Sequence, residues 1–345
     1  MSGRARFLAA ANRQPVDATP VWFMRQAGRS LPEYRRLRER HAFLDVAKTP
    51  ELCVQATKMP VHRLGVDAAV LFADIMLPLD GMGVEFAIEP NVGPVIANPI
   101  RTAMDIEALQ VIDADEATPY LFEALRMLRS ELGESAALLG FAGAPFTLAC
   151  YLVDGKATRE YPKTKALMFG EPELWHRLME TLTGVTVRYL KAQIAAGAEA
   201  VQLFDSWLGL LGPLEYEAMV LPYTTNIFQS LHGLAPAIHF STGTTSLLPL
   251  IASSAADIVS VDWRLPLDDA WRSIGHTRGI QGNLDPTILL AGERAVESGA
   301  RDVLKRAGGR PGHIFNLGHG IFPQTAPESL ERLVDWVHQY SPTSI

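Results

Sequence analysis

Cysteine is scarce in this chain, which has 345 residues and only Cys53 and Cys150. Two cysteines cannot form a disulfide framework or a four-cysteine zinc site. Long uncharged runs are also scarce. The run at residues 135–153 contains two glycines and Pro145, which would break a membrane-spanning helix. A buried strand followed by a loop explains this run better, so we expect no membrane insertion.

We also expect no secretory signal at the start of the given sequence. Residues 1–13 are polar, carry three arginines and are not followed by an apolar segment. Together with the low cysteine content, this pattern predicts a cytoplasmic protein in a reducing compartment.

Overall positive charge is missing, because the net charge is −7. A chain-wide basic field for nucleic acid is therefore excluded. Residues 1–40 are the exception, since nine arginines and three acids give them +6, while the other 305 residues carry −13. A basic run is often only a solvated helix face. Here every cation is arginine, and Arg25 and Arg29 directly follow an apolar run. This arrangement suggests a clamp for carboxylate or phosphate.

Short apolar runs alternate with helical stretches along the whole chain. Eight such runs predict strands buried on both faces, and hence a single-domain (β/α)8 TIM barrel over residues 1–345. A doubly wound open sheet is the alternative, but no Gly-x-Gly-x-x-Gly follows a strand to support it. The predicted strands are Val21–Met24, Ala68–Phe72, Leu138–Gly143, Ala200–Phe204, Ala237–Phe240, Ile258–Val261, Gly279–Gln281 and Ile314–Leu317.

Other elements are predicted around this repeat. A small extra hairpin is expected at 83–96, with strands Val84–Ile88 and Val95–Ile96 around a turn at residues 90–94. A long helix should begin at Pro172 and end at Gly197. A leucine stripe at 121, 125, 128 and 132 and the segment 328–339 indicate two further helices.

Polar side chains lie near or directly after the ends of the predicted strands, where a barrel of this kind places its chemistry. They are Arg25, Arg29, Asp74, Tyr151, Asp205, Ser206, His239, Asp262, Gln281 and His319.

Five motifs resemble those of the uroporphyrinogen decarboxylase family, over residues 6 to 337. The first and last are highly specific in combination. The motifs are Trp-Phe-Met-Arg-Gln-Ala-Gly-Arg-Ser-Leu-Pro-Glu-Tyr-Arg at 22–35, Phe-Ala-Asp-Ile at 72–75, Gly-Phe-Ala-Gly-Ala-Pro-Phe-Thr-Leu at 140–148, Gly-Asn-Leu-Asp-Pro at 282–286 and Asn-Leu-Gly-His-Gly-Ile at 316–321.

The resemblance implies a (β/α)8 barrel that works as a homodimer without metal or organic cofactor. It implies removal of the carboxyl groups of the four acetate side chains of uroporphyrinogen III, giving coproporphyrinogen III and four CO2 in tetrapyrrole biosynthesis. By motif match, Arg25, Arg29 and Asp74 would be catalytic, and Arg38 would assist in binding carboxylates. The residues that would bind the substrate are Arg25, Gln26, Ala27, Gly28, Arg29, Asp74, Tyr151, Ser206 and His319. Trp207 departs from members that carry histidine there.

Each of these residues also has a structural explanation. Asp74 and Ser206 could cap turns or helices. Tyr151 could be a packed core aromatic, and His319 a loop residue with an unusual backbone conformation. For Asp74 the chemical alternative is that its carboxylate accepts pyrrole N–H bonds and opposes the positive charge of a protonated ring.

Two other functions remain open from the sequence. Zinc-dependent methyltransferases of the same superfamily need His-x-Cys and a distant cysteine, yet no histidine lies two residues before Cys53 or Cys150. A non-enzymatic tetrapyrrole carrier would need the arginines but not Asp74.

Overall fold

Seven parallel strands form the main sheet of the computed structural model, which describes residues 1–89 and 92–340. The sheet order is β1-β4-β5-β6-β7-β8-β9, and β2 pairs antiparallel with β3. The strands are β1 Ala68–Val70, β2 Phe86–Glu89, β3 Gly93–Ile96, β4 Ala137–Gly143, β5 Ala200–Asp205, β6 Ala237–Ser241, β7 Ile258–Ser260, β8 Gly279–Leu284 and β9 His313–Leu317. Every residue is buried in five strands, as expected for apolar strands covered by helices. These strands are β4, β6, β7, β8 and β9.

Helices connect these strands within the described residues. They are α1 Gly3–Ala11, α2 Pro32–Arg40, α3 Phe43–Lys48, α4 Pro50–Leu64, α5 Leu77–Asp80, α6 Ala103–Glu107, α7 Ala114–Ala117, α8 Pro119–Leu132, α9 Pro145–Asp154, α10 Pro162–Gly170, α11 Pro172–Ala195, α12 Pro213–Met219, α13 Leu221–Leu231, α14 Leu248–Ser253, α15 Leu267–Ile274, α16 Glu293–Ala307 and α17 Pro327–Gln339. Short 3-10 turns lie at Leu208–Leu210, Thr245–Leu247 and Pro286–Leu290.

The predicted helices are confirmed. The α8 leucine stripe is wholly buried. The helix α11 begins at Pro172, and Gly197 follows it with φ +119°. The helix α17 covers the last predicted segment. No helix in the described part of the chain is both long and apolar enough to cross a membrane.

The predicted hairpin is also found, with Phe86 opposite Ile96 and Glu89 opposite Gly93. Its predicted turn includes Pro90 and Asn91, which lie outside the described residues.

The first predicted strand, Val21–Met24, is wrong as a strand. Only Val21 forms a parallel bridge, with Phe315 of β9. The two N–H groups that should continue a ladder bind side chains instead: Phe23 donates to Gln26 Oε1 at 3.0 Å and Met24 to Asn316 Oδ1 at 3.4 Å. The chain then turns away from the sheet.

This segment nevertheless contacts both outer edges of the seven-stranded sheet. Trp22 N–H donates to the carbonyl of Phe315 in β9 at 3.3 Å. The N–H of Asp67, directly before β1, donates to the carbonyl of Val21 at 2.8 Å. The sheet is therefore curled, with the 20–24 segment hydrogen-bonded to each end of it.

Candidate active site

The loop that carries Arg25 and Arg29 is held by a buried glutamine. Gln26 accepts the Phe23 N–H through Oε1 and donates through Nε2 to the carbonyl of Ala68 at 2.9 Å. The side chain of Gln26 is fully buried, and its two hydrogen bonds fix the position of the loop that carries Arg25 and Arg29. Gly28 is required by close approach, because an added Cβ would lie 2.5 Å from the carbonyl oxygen of Arg25.

Arg25 has a left-handed backbone, with φ +61°. This conformation is unfavourable for a residue with a Cβ and often accompanies a functional constraint. Its side-chain stem lies on Gly320, where an added Cβ would be 2.6 Å from Arg25 Cδ. A hydrogen bond of 3.0 Å from Ile321 N–H to the carbonyl of Met24 ties the two loops together. Arg25 is thereby placed beside the loop that carries His319.

His319 is neutral at physiological pH. Burial, then the positive charges of Arg25 and Arg264, lower the pKa of His319 to about 4. Its Nδ1 accepts the Gly320 N–H at 2.7 Å, which leaves the proton on Nε2. The ring therefore presents a neutral N–H donor. It also contacts Phe240 edge-on, with centroids 6.1 Å apart.

Asp74 lies beyond the end of β1 and is partly buried. Its Oδ1 accepts the Met76 N–H at 2.9 Å, so the predicted capping contact is present. Burial raises the pKa of the Asp74 carboxyl, while the Met76 hydrogen bond and the charge of Arg25 oppose the rise. Asp74 thus combines a structural contact with a position near a cationic side chain.

Tyr151 of α9 packs with two other aromatic rings and is 8% exposed. Its ring centroid lies 6.2 Å from those of Tyr161 and Trp207. Burial raises the pKa of the Tyr151 hydroxyl, and the charge of Asp74 contributes to that rise. Tyr151 is therefore a core aromatic, as the structural explanation proposed, and also a neighbour of Asp74.

Ser206 lies directly after β5, and its carbonyl accepts from Thr242 Oγ1 at 3.2 Å. Its hydroxyl makes no hydrogen bond among the described residues, and it precedes the Trp207 ring. Ala27 is partly buried against the core.

A second group of cationic side chains surrounds Tyr34. Burial raises the pKa of the Tyr34 hydroxyl, and the charges of Arg38 and Arg29 oppose that rise, which places both guanidinium groups nearby. Arg38 also lies 5.8 Å above the ring of Phe43. Tyr34 packs on Phe72 at 5.5 Å, two residues before Asp74. Arg29 and Arg38 therefore lie near Tyr34, which packs on Phe72 in the segment that leads from β1 to Asp74.

A row of aromatic rings spans the sheet near the carboxyl ends of the strands and was missed from the sequence. Phe141, Phe204 and Phe240 lie on β4, β5 and β6, with successive centroids 5.4 and 5.3 Å apart. Phe204 and Phe240 are register partners on the neighbouring strands β5 and β6. The available signal was one phenylalanine near the end of each of three neighbouring predicted strands. The three rings contact one another edge to face near the carboxyl ends of these strands.

Neither cysteine is poised to ligate metal. Burial raises the pKa of the Cys53 thiol to about 12 and that of Cys150 well above its usual value. Among residues 1–89 and 92–340, no group of three His, Cys, Asp or Glu side chains could hold a metal ion.

Acid should destabilise the fold through His319 and the buried His313. Burial lowers the pKa of both from 6.5 to about 4 in the folded protein. Between pH 6.5 and 4 the unfolded chain therefore binds more protons than the folded protein. The contribution of these histidines to the free energy of unfolding is largest above pH 6.5 and decreases as the pH falls toward 4. We expect a loss of about 2 kcal/mol per histidine between pH 7 and 5, measured by urea unfolding. His319→Gln should lose less, and an unchanged pH dependence would contradict the assignment.

We call the region of the loops that carry Arg25, Arg29, Asp74 and His319 the mouth of the curled sheet. These arginines, the carboxylate of Asp74 and the curled parallel sheet define an α/β protein with a candidate cationic site. A family model described as uroporphyrinogen decarboxylase (URO-D) matches residues 2–340, and the chain belongs to that family.

Similar proteins agree with this assignment. The uroporphyrinogen decarboxylase of Carboxydothermus hydrogenoformans is 49% identical over 339 residues, covering 98% of this chain and 97% of its own. That of Streptomyces coelicolor is 52% identical over 333 residues, covering 96% and 93%. A solved methyltransferase from Methanosarcina mazei has a TM-score of 0.81, with 98% of both chains covered. At 19% identity, this likeness shows the fold alone.

Proposed function

We propose that this protein decarboxylates uroporphyrinogen in tetrapyrrole biosynthesis. In full, the four acetate side chains of uroporphyrinogen III become methyl groups, giving coproporphyrinogen III and four CO2. The observation that carries the proposal is the proximity of Asp74 to Arg25 and Tyr151, because the charge of Arg25 acts on the pKa of Asp74 and the charge of Asp74 acts on the pKa of Tyr151. The membership in the family and the identities of the relatives support it.

The chemistry can use the substrate itself as the electron sink. Protonation of a pyrrole ring carbon makes the ring cationic. The C–CO2 bond of the neighbouring acetate then breaks, its electron pair moves into the ring, and CO2 leaves. A proton added to the exocyclic carbon completes the methyl group, and the first proton then leaves the ring carbon to restore the neutral pyrrole. Each cycle therefore replaces CO2 by one net proton. In this scheme the carboxylate of Asp74 accepts pyrrole N–H bonds and stabilises the cationic ring.

The remaining predicted residues have distinct roles in the proposal. Arg25 and Arg29 bind acetate or propionate carboxylates through their forked guanidinium groups. Gln26, Ala27 and Gly28 form the loop that positions those two arginines.

Three residues from other elements line the same pocket. Tyr151 and Ser206 contact the macrocycle beside Asp74, and His319 donates its Nε2–H to a substrate carboxylate. Its neutral state avoids adding a charge between two guanidinium groups.

The finer architecture is also part of the proposal. The hydrogen bonds of the 20–24 segment to β9 and to Asp67 support closure into an eight-membered (β/α)8 barrel, as one domain over 1–345. The family resemblance supports a cytoplasmic homodimer, and sedimentation equilibrium would test the dimer.

Mass spectrometry tests the reaction directly. The purified protein is incubated with uroporphyrinogen III without oxygen, and the products are followed in time. Four successive losses of CO2 are expected. Binding without loss of CO2 would instead favour a tetrapyrrole carrier.

Activity should survive exhaustive chelation and dialysis. The reason is that the protonated pyrrole supplies the electron sink, while the two thiols are buried and have raised pKa values. Rates before and after treatment with EDTA should agree within about twofold, less than the 1.4 kcal/mol of a tenfold effect. Activity lost on chelation and restored by zinc would overturn this mechanism.

Arg29→Lys should impair binding and turnover. Lysine keeps the positive charge but loses the fork that orients a carboxylate, and a misplaced acetate is a misplaced reaction centre. We expect kcat/KM to fall by about tenfold or more, consistent with loss of one charge-assisted hydrogen bond. Steady-state kinetics without oxygen would measure it. A near-parental kcat/KM would show that charge alone suffices at this position.

A further inference from the structure

Arg264 is a cationic side chain of the same mouth that the sequence did not single out. It lies just beyond β7 and is fixed by the buried carboxylate of Asp262, whose Oδ1 accepts the Arg264 N–H at 2.9 Å. Oδ2 of Asp262 accepts from Arg264 Nη1 at 2.5 Å. The guanidinium also lies 4.4 Å above the ring of Trp263. A stacked, ion-paired arginine is oriented before any ligand arrives.

The carboxylate of Asp262, which holds Arg264, is also hydrogen-bonded to a second loop, and the residue between them contacts the His319 loop. Oδ2 of Asp262 also accepts the Gly243 N–H at 2.6 Å, from the loop after β6. Trp263 packs against Gly318, where an added Cβ would lie 2.6 Å from the Trp263 nitrogen. The turn that carries Arg264 therefore packs against the loop that carries His319.

Two arginines act on His319 from different parts of the chain. Arg25 approaches through Gly320, and Arg264 approaches through the Trp263–Gly318 contact on the other flank. Both positive charges contribute to the low pKa of His319. The mouth therefore has a cation from each flanking loop, with a neutral imidazole between them.

Arg264 has unused hydrogen-bonding capacity. Its side chain is 51% exposed despite the Asp262 contact. Only Nη1 has a protein acceptor among the described residues, while a guanidinium carries five N–H donors. An oriented guanidinium with free donors at the mouth of a site for a polycarboxylate is suited to bind a further carboxylate.

We propose that Arg264 is an additional carboxylate anchor, beside Arg25 and Arg29, which binds a side chain of a pyrrole ring other than the one reacting at Asp74. This inference rests on the proposed function, because it names a contact for the same substrate. A remote anchor of this kind holds the macrocycle in register and so controls the retention of partly decarboxylated intermediates. Arg264 then affects binding more than the chemical step.

The test compares Arg264→Gln and Arg264→Lys with Arg272→Gln. Arg272 lies on α15, is 69% exposed and pairs with Asp269, so its substitution removes the same charge outside the mouth. Arg264→Lys keeps a cation beside Asp262, so this variant is expected to fold even if Arg264→Gln does not. Circular dichroism would check the folding of each variant. Two measurements are made on each protein: anaerobic steady-state kinetics with analysis of intermediates, and equilibrium binding of coproporphyrinogen III, which is not decarboxylated further.

The expected result for Arg264→Gln is a KM raised at least tenfold, with kcat within about threefold. Species with five to seven carboxyl groups should accumulate, and binding of coproporphyrinogen should weaken. Arg264→Lys should fall between this variant and the parent, and Arg272→Gln should match the parent.

The remaining outcomes would contradict the Arg264 anchor, the proposed decarboxylation or both. Parental kinetics and binding in Arg264→Gln would overturn the anchor, as would a lower kcat at unchanged KM. A parent protein that binds coproporphyrinogen but releases no CO2 from uroporphyrinogen III would overturn the proposed reaction. The anchor would then be judged by binding alone, and absence of any binding would overturn both.

Discussion

Asp74→Asn should leave the protein folded and lower kcat by about 10²-fold or more. Asparagine has nearly the same shape, and its amide oxygen can still accept the Met76 N–H that Asp74 Oδ1 accepts at 2.9 Å. The turn after β1 is therefore retained. What is lost is the negative charge that would oppose a protonated pyrrole. Because that charge is needed most in the transition state, kcat should change more than substrate affinity.

Three measurements separate this role from a structural one. Circular dichroism and thermal unfolding should match the parent, since asparagine is an equally good cap. Equilibrium binding should change little, whereas single-turnover decarboxylation should be much slower. A folded Asp74→Asn protein that keeps more than about a third of the parental kcat would defeat the electrostatic role, because that loss is well under the 1.4 kcal/mol of a tenfold effect.

The pH profile provides a second check on Asp74. Burial raises the pKa of its carboxyl from 3.8. If the ionised form is required, the acidic limb of kcat/KM should lie above pH 3.8 and should disappear in the asparagine variant.

The fold was largely predictable because its strands are short apolar runs buried on both faces, separated by helices with clear boundaries. Seven of the eight predicted strands are confirmed by the sheet. The exception, at Val21–Met24, depends on Gln26 and Asn316, whose side chains take backbone N–H groups that a neighbouring strand would otherwise bind. Asn316 is 292 residues from Met24, and such contacts leave no mark in local periodicity.

The site was predictable where one motif carries a chemical group, and less so where groups must converge. Arg25 and Asp74 follow apolar runs that are visible in the sequence. The neutral state of His319, however, needs burial and two arginines, one of them Arg264, far apart in the chain. The aromatic row across β4, β5 and β6 likewise depends on strand register, which follows from three-dimensional pairing.

Arg25→Lys should be the other severe substitution in the mouth. Arg25 neighbours both Asp74 and His319, since its charge bears on the pKa of each. Lysine keeps one positive charge but cannot present a planar fork along the path over Gly320. Losing two charge-assisted hydrogen bonds at about 1.5–3 kcal/mol each predicts a fall in kcat/KM of about 10²–10⁴.

The fold should tolerate this change, because lysine meets the same backbone cost as arginine at φ +61°. The thermal midpoint is therefore expected to stay within a few degrees of the parent. Arg36→Lys is the matched control, since Arg36 is an exposed arginine of α2 in the same arginine-rich segment. It should keep parental kinetics within about twofold, under the 1.4 kcal/mol of a tenfold effect. If Arg25→Lys behaved like Arg36→Lys, a diffuse cationic mouth would explain binding, and the oriented clamp at Arg25 would be wrong.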